Sequence, residues 1–339
     1  MRMHGVTDLS TGRDPLAEGD VPDPVPVGNQ VLLDVSCCGI CHTEIDEIEG
    51  RAAPDEFPRT PGHEVVGRVA ALGPDSTRLA VGDRVGVGWF WSSCGTCRFC
   101  RAGLENLCFD YRATGRDADG GYAERMVVPE TSAFPVPERF SDEEAAPLFC
   151  AGAIGFRSLN LAGIANGEAL GLTGFGASGH LVLEMARHLC PDSEVFVFAR
   201  SAREREFAVE RGAAWAGEAF ETAPRPLAAI IDTTPVWTPV VEALRNLDRG
   251  GRLVINAIRK ESVDAAALAG IDYPTHLWME KEIKSVANVA PGDIAGFVAL
   301  ADEIGIVPEV TTYPLADANR ALRELKTGHL RGAKVLRTR

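Results

Sequence analysis

Two patterns of hydrophobic and polar positions divide the chain. Up to about residue 150, short apolar segments rich in branched side chains alternate with turns rich in Gly and Pro. This spacing is typical of a β-rich, barrel-like domain. The predicted strands of this part cover residues 30–36, 65–73 and 82–87.

From about residue 165 the apolar segments alternate with helical patterns. The predicted strands cover residues 168–173, 194–198, 227–232 and 252–256, and the predicted helices cover residues 180–189, 202–211 and 239–246. Such alternation predicts an α/β fold built on a doubly wound parallel sheet. About fifty C-terminal residues return to short mixed elements, with predicted strands at 310–315 and 332–336 around a helix at 317–326.

The length of 339 residues favours two domains, because one hydrophobic core rarely serves a chain of this size. The changes of pattern place the boundaries near residues 152 and 290. We therefore expect one domain made of residues 1–152 and 290–339, and a second made of residues 153–289.

The composition of the chain disfavours some classes of binding partner. Apolar residues make up 45% of the chain, and the formal net charge is −14, which argues against nucleic acid or an anionic membrane surface as the main partner. The N-terminal residues lack the apolar run of a signal peptide, and no later segment approaches ~18 uninterrupted apolar residues. We expect a cytoplasmic enzyme that acts on a small molecule, without nucleic acid or membrane.

A glycine-rich loop follows the predicted strand at 168–173. Its residues are Gly174, Gly176, Ala177, Ser178 and Gly179. Between a strand and a helix, the G-x-G-x-x-G spacing allows a tight turn and lets a pyrophosphate approach the helix N-terminus. These residues are therefore predicted to bind a dinucleotide cofactor.

Four of the nine cysteines lie within fifteen residues, at Cys94, Cys97, Cys100 and Cys108. Four thiolates at this spacing complete a tetrahedron around one zinc ion and leave no position for water, so the predicted lobe at 92–110 is structural. The alternative is four reduced thiols in a core. Arg98, Arg101 and the glycines among them disfavour it.

A second metal site is suggested by Cys41 and His63, each on a turn marked by glycine. A zinc ion needs at least one more protein ligand, and the remaining candidates are Cys37, Cys38, Cys150 and Cys190. Cys150 is preferred because it lies where the β-rich half meets the dinucleotide half, and ligand sites favour domain boundaries.

The motifs together resemble a known family. They are G-I-C-H-T at 39–43, P-G-H-E-V-V-G at 61–67, V-G-D-R-V at 81–85, the four-cysteine lobe, the run at 146–152 and the glycine loop. From about residue 25 to its end, the chain resembles the zinc-dependent alcohol dehydrogenases of the medium-chain dehydrogenase/reductase superfamily, most closely the bacterial branch. The resemblance implies a Rossmann cofactor domain and a β-rich, GroES-like catalytic domain.

The resemblance also implies two zinc ions per chain. Cys41, His63 and Cys150 would hold the catalytic ion, Glu64 would be an occasional ligand beside it, and Glu44 would orient His63. The other zinc would occupy the four-cysteine lobe. With an open fourth position, the catalytic ion would activate an alcohol or polarise a carbonyl.

The catalytic residues implied by the resemblance are Thr43, Asp46 and His42. Thr43 would pass the proton of the substrate hydroxyl outward, although a threonine there can also be an ordinary helix cap. His42 and Arg331 would lie near the phosphates of the cofactor. The reaction would transfer a hydride between the alcohol and a nicotinamide ring.

The cofactor preference follows from the end of the second strand of the dinucleotide domain. An acidic residue there would favour NAD(H), but the chain has Ala199, followed by Arg200 and Ser201, with Arg205 nearby. We predict NADP(H) over NAD(H), since arginine suits a 2′-phosphate. NAD(H) stays possible, because Arg200 can also be a solvated residue at the start of a helix.

The substrate pocket is predicted to include Trp89 and Trp91, which favour small or aromatic apolar alcohols and aldehydes. Large aromatic residues are also common in cores. One alternative function is a polyol dehydrogenase of the same fold; another is a non-catalytic, zinc-stabilised nucleotide-binding protein. Relatives imply a homodimer or homotetramer, joined through the edge of the dinucleotide sheet near residues 252–256.

Overall fold

The computed structural model describes residues 1–328 and 332–338 of the chain. Arg331, which was expected near the phosphates of a cofactor, lies outside these residues. The chain forms two compact units. Unit 1 comprises Met1–Ala153 and Asn288–Arg339, and unit 2 comprises Ile154–Ala287.

The strands and helices are numbered in chain order. The strands are β1 (Arg2–Met3), β2 (Leu16–Ala17), β3 (Gln30–Ile40), β4 (Val65–Leu72), β5 (Arg84–Val87), β6 (Phe90–Ser92), β7 (Arg112–Ala113), β8 (Arg125–Pro129), β9 (Ala133–Pro135), β10 (Leu170–Thr173), β11 (Val195–Phe198), β12 (Trp215–Gly217), β13 (Leu227–Asp232), β14 (Leu247–Ile255), β15 (Glu282–Ser285), β16 (Val310–Pro314) and β17 (Ala333–Arg337). The α-helices are α1 (His42–Ile48), α2 (Arg98–Arg101), α3 (Asp142–Ala145), α4 (Ala151–Ala162), α5 (Ala177–Leu189), α6 (Ala202–Glu210), α7 (Thr238–Asn246), α8 (Tyr273–His276), α9 (Pro291–Ile304) and α10 (Ala318–Lys326).

The main sheet of unit 1 is organised around β3. Its described strands run in the order β16, β17, β3, β4, β5 and β9, and β8 also pairs with β3. Along β3, Val31, Leu33 and Val35 are buried in the core of this unit, as the alternation of apolar residues predicts. The strand is longer than the predicted 30–36, because residues 37–40 continue to pair with β17. This extension ends at Ile40, immediately before Cys41.

The sheet of unit 2 is parallel throughout its described strands, in the order β12, β11, β10, β13, β14 and β15. This order, counted along the chain as 3-2-1-4-5-6, is typical of a Rossmann sheet. The predicted parallel α/β fold is therefore confirmed. The chain reverses its direction of winding between β10 and β13, and ligands of such sheets bind outside the carboxyl ends of the strands at that point.

Two predicted boundaries in unit 2 were wrong. Helix α5 begins at Ala177 rather than at residue 180, because the last residues of the glycine loop already adopt helical geometry. Strand β14 begins at Leu247, before the predicted turn at Gly250, because Leu247 pairs with Leu227 of β13. Both differences lengthen an element by a few residues and leave the topology unchanged.

One stretch, Asp142–Ala162, is long and apolar enough to cross a membrane by length and composition, with a mean hydropathy of 1.2. Of its most apolar window, 67% is buried inside the protein. A helical stretch packed into a folded core meets the same two criteria. The composition of this segment is therefore accounted for by its packing.

Candidate active site

The backbone between β3 and α1 fixes the position of the Cys41 thiol. Cys41 is the N-cap of α1 in an extended conformation, and its Sγ accepts a hydrogen bond from the N–H of Thr43 at 3.2 Å. In return, Oε2 of Glu44 accepts a hydrogen bond from the N–H of Cys41 at 2.8 Å. This reciprocal pair is a capping box. The cap of this helix is therefore Cys41, and Thr43 is the second residue of the helix, in its first turn.

The predicted ligands of the catalytic zinc come together in unit 1. Sγ of Cys41 lies 3.5 Å from Nε2 of His63 and 3.9 Å from Sγ of Cys150. Together with a carboxylate oxygen of Glu64, these ligand atoms all lie within 4.8 Å of one another. Zn–S bonds of about 2.3 Å and Zn–N bonds of about 2.0 Å give tetrahedral edges of about 3.8 Å and 3.6 Å. The donor set and its spacing fit a zinc ion.

The imidazole of His63 is held from behind by Glu44. Nδ1 of His63 lies 2.5 Å from Oε1 of Glu44, and both side chains are fully buried. A carboxylate at Nδ1 favours the tautomer whose Nε2 is available to a metal. Burial alone would lower the pKa of His63, but Glu44 and Cys41 together raise it well above its ordinary value. Glu44 therefore sets both the orientation and the basicity of the ring.

The carboxyl of Glu64 packs directly against the backbone of Gly39, where a side chain would not fit. A Cβ atom added at Gly39 would lie 1.9 Å from Oε2 of Glu64, so any larger residue there would displace the carboxyl. Burial raises the pKa of Glu64 to about 7. The buried carboxyl lies beside the three other donor atoms, which is the position that an occasional ligand would occupy.

The surroundings of both thiols of the site raise their pKa values. Hydrogen bonding with Cys150, followed by burial, raises the pKa of Cys41 well above that of a free thiol. The hydrogen bond with Cys41 lowers the pKa of Cys150, but burial together with the nearby carboxyls of Glu64 and Glu44 outweighs it, so the pKa is raised overall. A metal is bound by thiolates, so binding must release protons.

The four cysteines of the lobe also converge. Sγ of Cys94 lies 3.9 Å from that of Cys100 and 3.5 Å from that of Cys108, and Cys97 lies 3.5 Å from Cys100. These distances are close to the tetrahedral S···S edge of about 3.8 Å. Three of the four side chains are half-buried, which argues against a hydrophobic core. Backbone N–H groups of residues 96 and 97 lower the pKa of Cys94 to about 6 and favour its thiolate.

The residues predicted to be catalytic differ in their surroundings. Thr43 is buried in the first turn of α1, close to Cys41. His42 is exposed. Asp46 is half-buried, and its Oδ1 accepts a hydrogen bond from Nε of Arg51 at 2.5 Å. Of the three candidates, Thr43 is the one placed next to a candidate zinc ligand in a buried position.

The two tryptophans predicted to line the substrate pocket occupy different environments. Trp89 lies beside the candidate zinc ligands, with its ring centroid 5.7 Å from that of His63. Trp91 packs into the hydrophobic core of unit 1. Trp89 lies just before β6 and Trp91 lies within it, so the two side chains do not occupy equivalent strand positions.

The glycine loop of unit 2 has two positions where the space beside the backbone suits only glycine. Gly174 has a φ of +80°, and a Cβ atom there would lie 2.7 Å from Oγ1 of Thr233. At Gly179 the added atom would lie 2.9 Å from the carbonyl oxygen of Gly174, whereas at Gly176 it would meet nothing within 4 Å. Gly176 caps α5 without a side-chain hydrogen bond among the described residues. The N–H groups of the first turn, from Ala177 and Ser178, are placed to receive an anion.

The segment after β11 presents arginine where an acidic residue would favour NAD(H). Ala199 is buried, and Arg200 and Ser201 are exposed. Ser201 caps α6, and its Oγ bonds to Glu204. Arg205 is bonded to the carbonyl oxygens of residues 199 and 200 at 2.9 Å and 3.0 Å, and pairs with Glu218. Arg205 therefore holds the backbone of this segment, and Arg200 is an arginine presented to solvent directly after Ala199.

Three buried charged residues near these sites were missed in the sequence. Glu47 has 1% exposure, and its carboxyl oxygens have no hydrogen-bond partner among the described residues. Its spacing of three from Glu44, on the same helix face, was a usable signal. Asp232 and Lys260 form a buried ion pair in unit 2. The signal for Asp232 was an acidic residue that ends an apolar strand.

Cysteines outside the two clusters are not part of either site. Cys37 and Cys38 are buried in β3, in agreement with the interpretation that they are core residues. Cys190 was also interpreted as buried, but it is half-buried at the end of α5. Its position after the last helical residue accounts for the difference.

Comparison with known proteins gives a consistent set of matches. Residues 28–138 match the family model of the alcohol dehydrogenase GroES-like domain. The chain is 42% identical over 323 residues to the probable alcohol dehydrogenase AdhA of Mycobacterium tuberculosis, covering 93% of this chain and 90% of that protein. It is 33% identical over 320 residues to the probable cinnamyl alcohol dehydrogenase 8A of Oryza sativa subsp. japonica, covering 89% and 86%.

A solved structure supports the same relationship. The cobalt- and zinc-bound thermostable alcohol dehydrogenase of Pyrobaculum aerophilum has a TM-score of 0.84 to this chain at 26% identity, covering 99% of each chain. The similarity therefore extends over both units, each of which has its counterpart in the matched chain.

Proposed function

This chain belongs to the alcohol dehydrogenases of the medium-chain dehydrogenase/reductase superfamily and is an NAD(P)-dependent enzyme, and from that premise we propose that it uses a catalytic zinc ion. The observation that carries the proposal is the convergence of Cys41, His63 and Cys150 at distances of 3.5 and 3.9 Å. Zinc, when bound there, acts as a Lewis acid toward the oxygen of the substrate. A second, structural zinc is proposed for the lobe of Cys94, Cys97, Cys100 and Cys108.

The protein's own residues have distinct roles in this proposal. Glu44 holds His63 in the tautomer that presents Nε2, and Glu64 turns in or out as an occasional ligand. The Thr43 hydroxyl accepts the proton of the substrate hydroxyl and passes it outward. Trp89 shields the site from water on one side. The nicotinamide cofactor accepts or supplies the hydride.

We propose NADP(H) as the preferred cofactor. The support is the small, buried Ala199 at the end of β11, followed by the exposed Arg200 and Ser201. A 2′-phosphate meets no acidic side chain at position 199 and finds a guanidinium beside it. The Arg200→Ala variant should raise the KM for NADPH about ten- to a hundredfold and leave that for NADH nearly unchanged. Arg211→Ala, at the far end of α6, is the matched control.

The proposed substrates are small or aromatic apolar alcohols and the corresponding aldehydes. Trp89 supports this class, because its flat ring lies beside the candidate zinc ligands. One relative is described as a cinnamyl alcohol dehydrogenase, which is consistent with an aromatic substrate.

A polyol dehydrogenase is the second candidate, and a specific observation favours it. Nε1 of Trp89, the hydroxyl of Tyr111 and the carboxyl of Glu47 are buried without hydrogen-bond partners among the described residues. Groups of this kind can bind the additional hydroxyl groups of a polyol. Primary aromatic alcohols compared with sorbitol in the same assay distinguish the two candidates.

The central experiment combines activity with metal content. The purified protein is assayed at 340 nm with a panel of alcohols and aldehydes, using NADP(H) and NAD(H) separately, while zinc is measured per chain. We expect about two zinc ions per chain and turnover of apolar alcohols with NADP(H) preferred. Full zinc loading without any alcohol-linked change would refute catalysis and favour a non-catalytic nucleotide-binding protein. A clear preference for NADH would refute the cofactor assignment.

We also propose a homo-oligomer that forms through strand β15. The expected contact near residues 252–256 was wrong, because Arg252–Ile255 of β14 are paired on both sides, by β13 and by β15. Strand β15 ends the sheet in the part of the chain that the structure describes, all its residues are exposed, and Ile283 is 43% exposed. An open edge can pair with a second copy. Ile283→Pro should shift the mass measured by light scattering toward the monomer.

A cytoplasmic location is proposed on the state of the cysteines. All nine cysteines lie within the described residues, and each is a free thiol. Four of them in one group and two in the other are arranged to bind metal, which requires reduced thiols. Fractionation of cells that express the full chain would test this location.

A further inference from the structure

A buried ion pair joins the loops at the carboxyl edge of the unit 2 sheet. Nζ of Lys260 contacts Oδ2 of Asp232, which is the last residue of β13 and is fully buried. The same Nζ donates to the carbonyl oxygens of Thr234 at 2.6 Å and Val236 at 3.1 Å. The lysine side chain is 7% exposed, and its three N–H donors have three acceptors.

The other oxygen of Asp232 reaches toward the glycine loop. Oδ1 accepts hydrogen bonds from the hydroxyls of Thr173 at 2.6 Å and Thr234 at 2.7 Å. Thr173 is the last residue of β10, and the glycine loop begins at the next position. The network therefore connects three segments, which follow β10, β13 and β14.

The segment after β13 also sets the shape of the glycine loop directly. Oγ1 of Thr233 donates to the carbonyl oxygen of Thr173 at 3.0 Å. A Cβ atom on Gly174 would lie 2.7 Å from that same Oγ1, so the first glycine of the loop packs against Thr233. A shift of the segment after β13 would be transmitted to the loop through this contact.

This location is the point where the sheet reverses its winding, between β10 and β13. Ligands of open α/β sheets bind in the crevice outside the carboxyl ends of these strands. A buried ion pair contributes little to stability compared with well-packed apolar residues, because removing both charges from water is costly. Its fixed hydrogen-bond directions, in contrast, hold loops in one arrangement.

We propose that Lys260 and Asp232 are positioning residues for the nicotinamide cofactor. They act through Thr173, Thr233 and Thr234, and keep the glycine loop and the segment after β13 in the conformation that binds the cofactor. The inference rests on the cofactor use assigned to this chain, and it concerns binding rather than the hydride step. It applies to NADP(H) and NAD(H) alike, since the network does not involve Arg200.

The test measures cofactor affinity in the purified, zinc-loaded protein, by quenching of tryptophan fluorescence with NADPH and with NADH. Lys260→Met should raise the Kd of both cofactors about tenfold or more, as expected when a buried, charge-assisted hydrogen bond is lost. Lys260→Arg should restore much of the affinity. Asp232→Asn should weaken cofactor binding to a similar degree. The double variant Lys260→Met/Asp232→Asn should lose less binding free energy than the two single variants added together, because both residues belong to one network.

Lys334→Met is the matched control. Lys334 is another buried lysine, in unit 1, and it pairs with Glu324 at 2.7 Å. Its loss should lower the melting temperature as much as the loss of Lys260, but leave the Kd for cofactor within about twofold. A Lys260→Met protein that is destabilised like this control, yet binds both cofactors normally, would overturn the proposal and assign the pair a structural role.

A milder variant decides the question if Lys260→Met does not fold. Thr173→Val keeps the shape of the side chain and removes one hydrogen bond to Asp232. We expect its Kd to rise about threefold or more, while an unchanged Kd would refute the proposal. Failure of the proposed zinc-dependent function is distinguishable from failure of this inference. In the first case the wild-type protein would bind cofactor without oxidising any alcohol.

Discussion

The contact between Glu44 and His63 gives a sharp prediction about metal affinity. Replacing Glu44 with Gln keeps the size of the side chain and keeps an oxygen that can accept the N–H of Cys41, at present 2.8 Å away. It removes the carboxylate that lies 2.5 Å from Nδ1 of His63. The capping geometry of α1 is therefore largely retained, and the support behind the imidazole is lost.

The expected magnitude follows from those two contacts. The contact with Nδ1 of a fully buried ring loses its charge, and the capping hydrogen bond becomes neutral rather than charge-assisted, at about 1 kcal/mol each. The sum of about 2 kcal/mol lies within the ten- to hundredfold loss typical when a residue that supports a metal ligand is mutated. We therefore expect Glu44→Gln to weaken zinc binding at this site about thirtyfold.

The assay is a competition titration of zinc-free protein with a chromophoric chelator. The four-cysteine lobe is the same in the wild type and in Glu44→Gln. If the affinity of one of the two zinc-binding events changes, that event is therefore binding at the Cys41 site. Glu47→Gln is the matched control, because Glu47 lies three residues further along the same helix at 1% exposure, and among the described residues no hydrogen bond joins its carboxyl oxygens to a candidate ligand. It should leave zinc affinity within about twofold, since no hydrogen bond to the ring of His63 is lost.

Two results would refute the reasoning. Unchanged zinc affinity in Glu44→Gln would mean that the carboxylate does not support the ring. Equal losses of zinc affinity in Glu44→Gln and Glu47→Gln would mean that any change in the charge of α1 weakens zinc binding, whether or not the residue contacts Nδ1 of His63.

Three further predictions concern single positions. Gly39→Ala should displace the carboxyl of Glu64, because the new Cβ would lie 1.9 Å from its Oε2, and lower the unfolding free energy measured in urea by about 1–3 kcal/mol; an unchanged value would contradict this. Cys97→Ser should remove one zinc equivalent in elemental analysis and lower Tm, without changing the Kd for NADPH. Hydrogen bonds from Lys334 and Tyr313 lower the pKa of Glu324 to about 2, so its stabilisation is present above the ordinary value of 4.5 and is lost as the pH falls toward 2. Tm of the wild type should therefore fall more steeply than that of Glu324→Gln across this range, and parallel curves would argue against the assignment.

The sequence by itself determined the fold class and the candidate chemistry. Alternation of apolar strands with helical segments predicted the parallel sheet of unit 2, because strands covered on both faces must be apolar throughout. The four-cysteine spacing identified one candidate zinc site without any structure, because its ligands are local in the chain. The sequence determined the ligands of the second candidate zinc site less completely. Position alone selected Cys150 from four candidate cysteines.

The tertiary structure decided the contacts between residues distant in the chain. Cys41 and Cys150 are 109 positions apart, and only the folded chain places their sulfur atoms 3.9 Å from each other. Trp89 lies beside His63, whereas Trp91, two positions further on, packs into the core of unit 1. The link between Lys260 and Asp232 likewise joins loops that follow different strands. Periodicity and spacing describe neighbours along the chain, whereas burial and electrostatic pairing arise only when packing brings remote segments together.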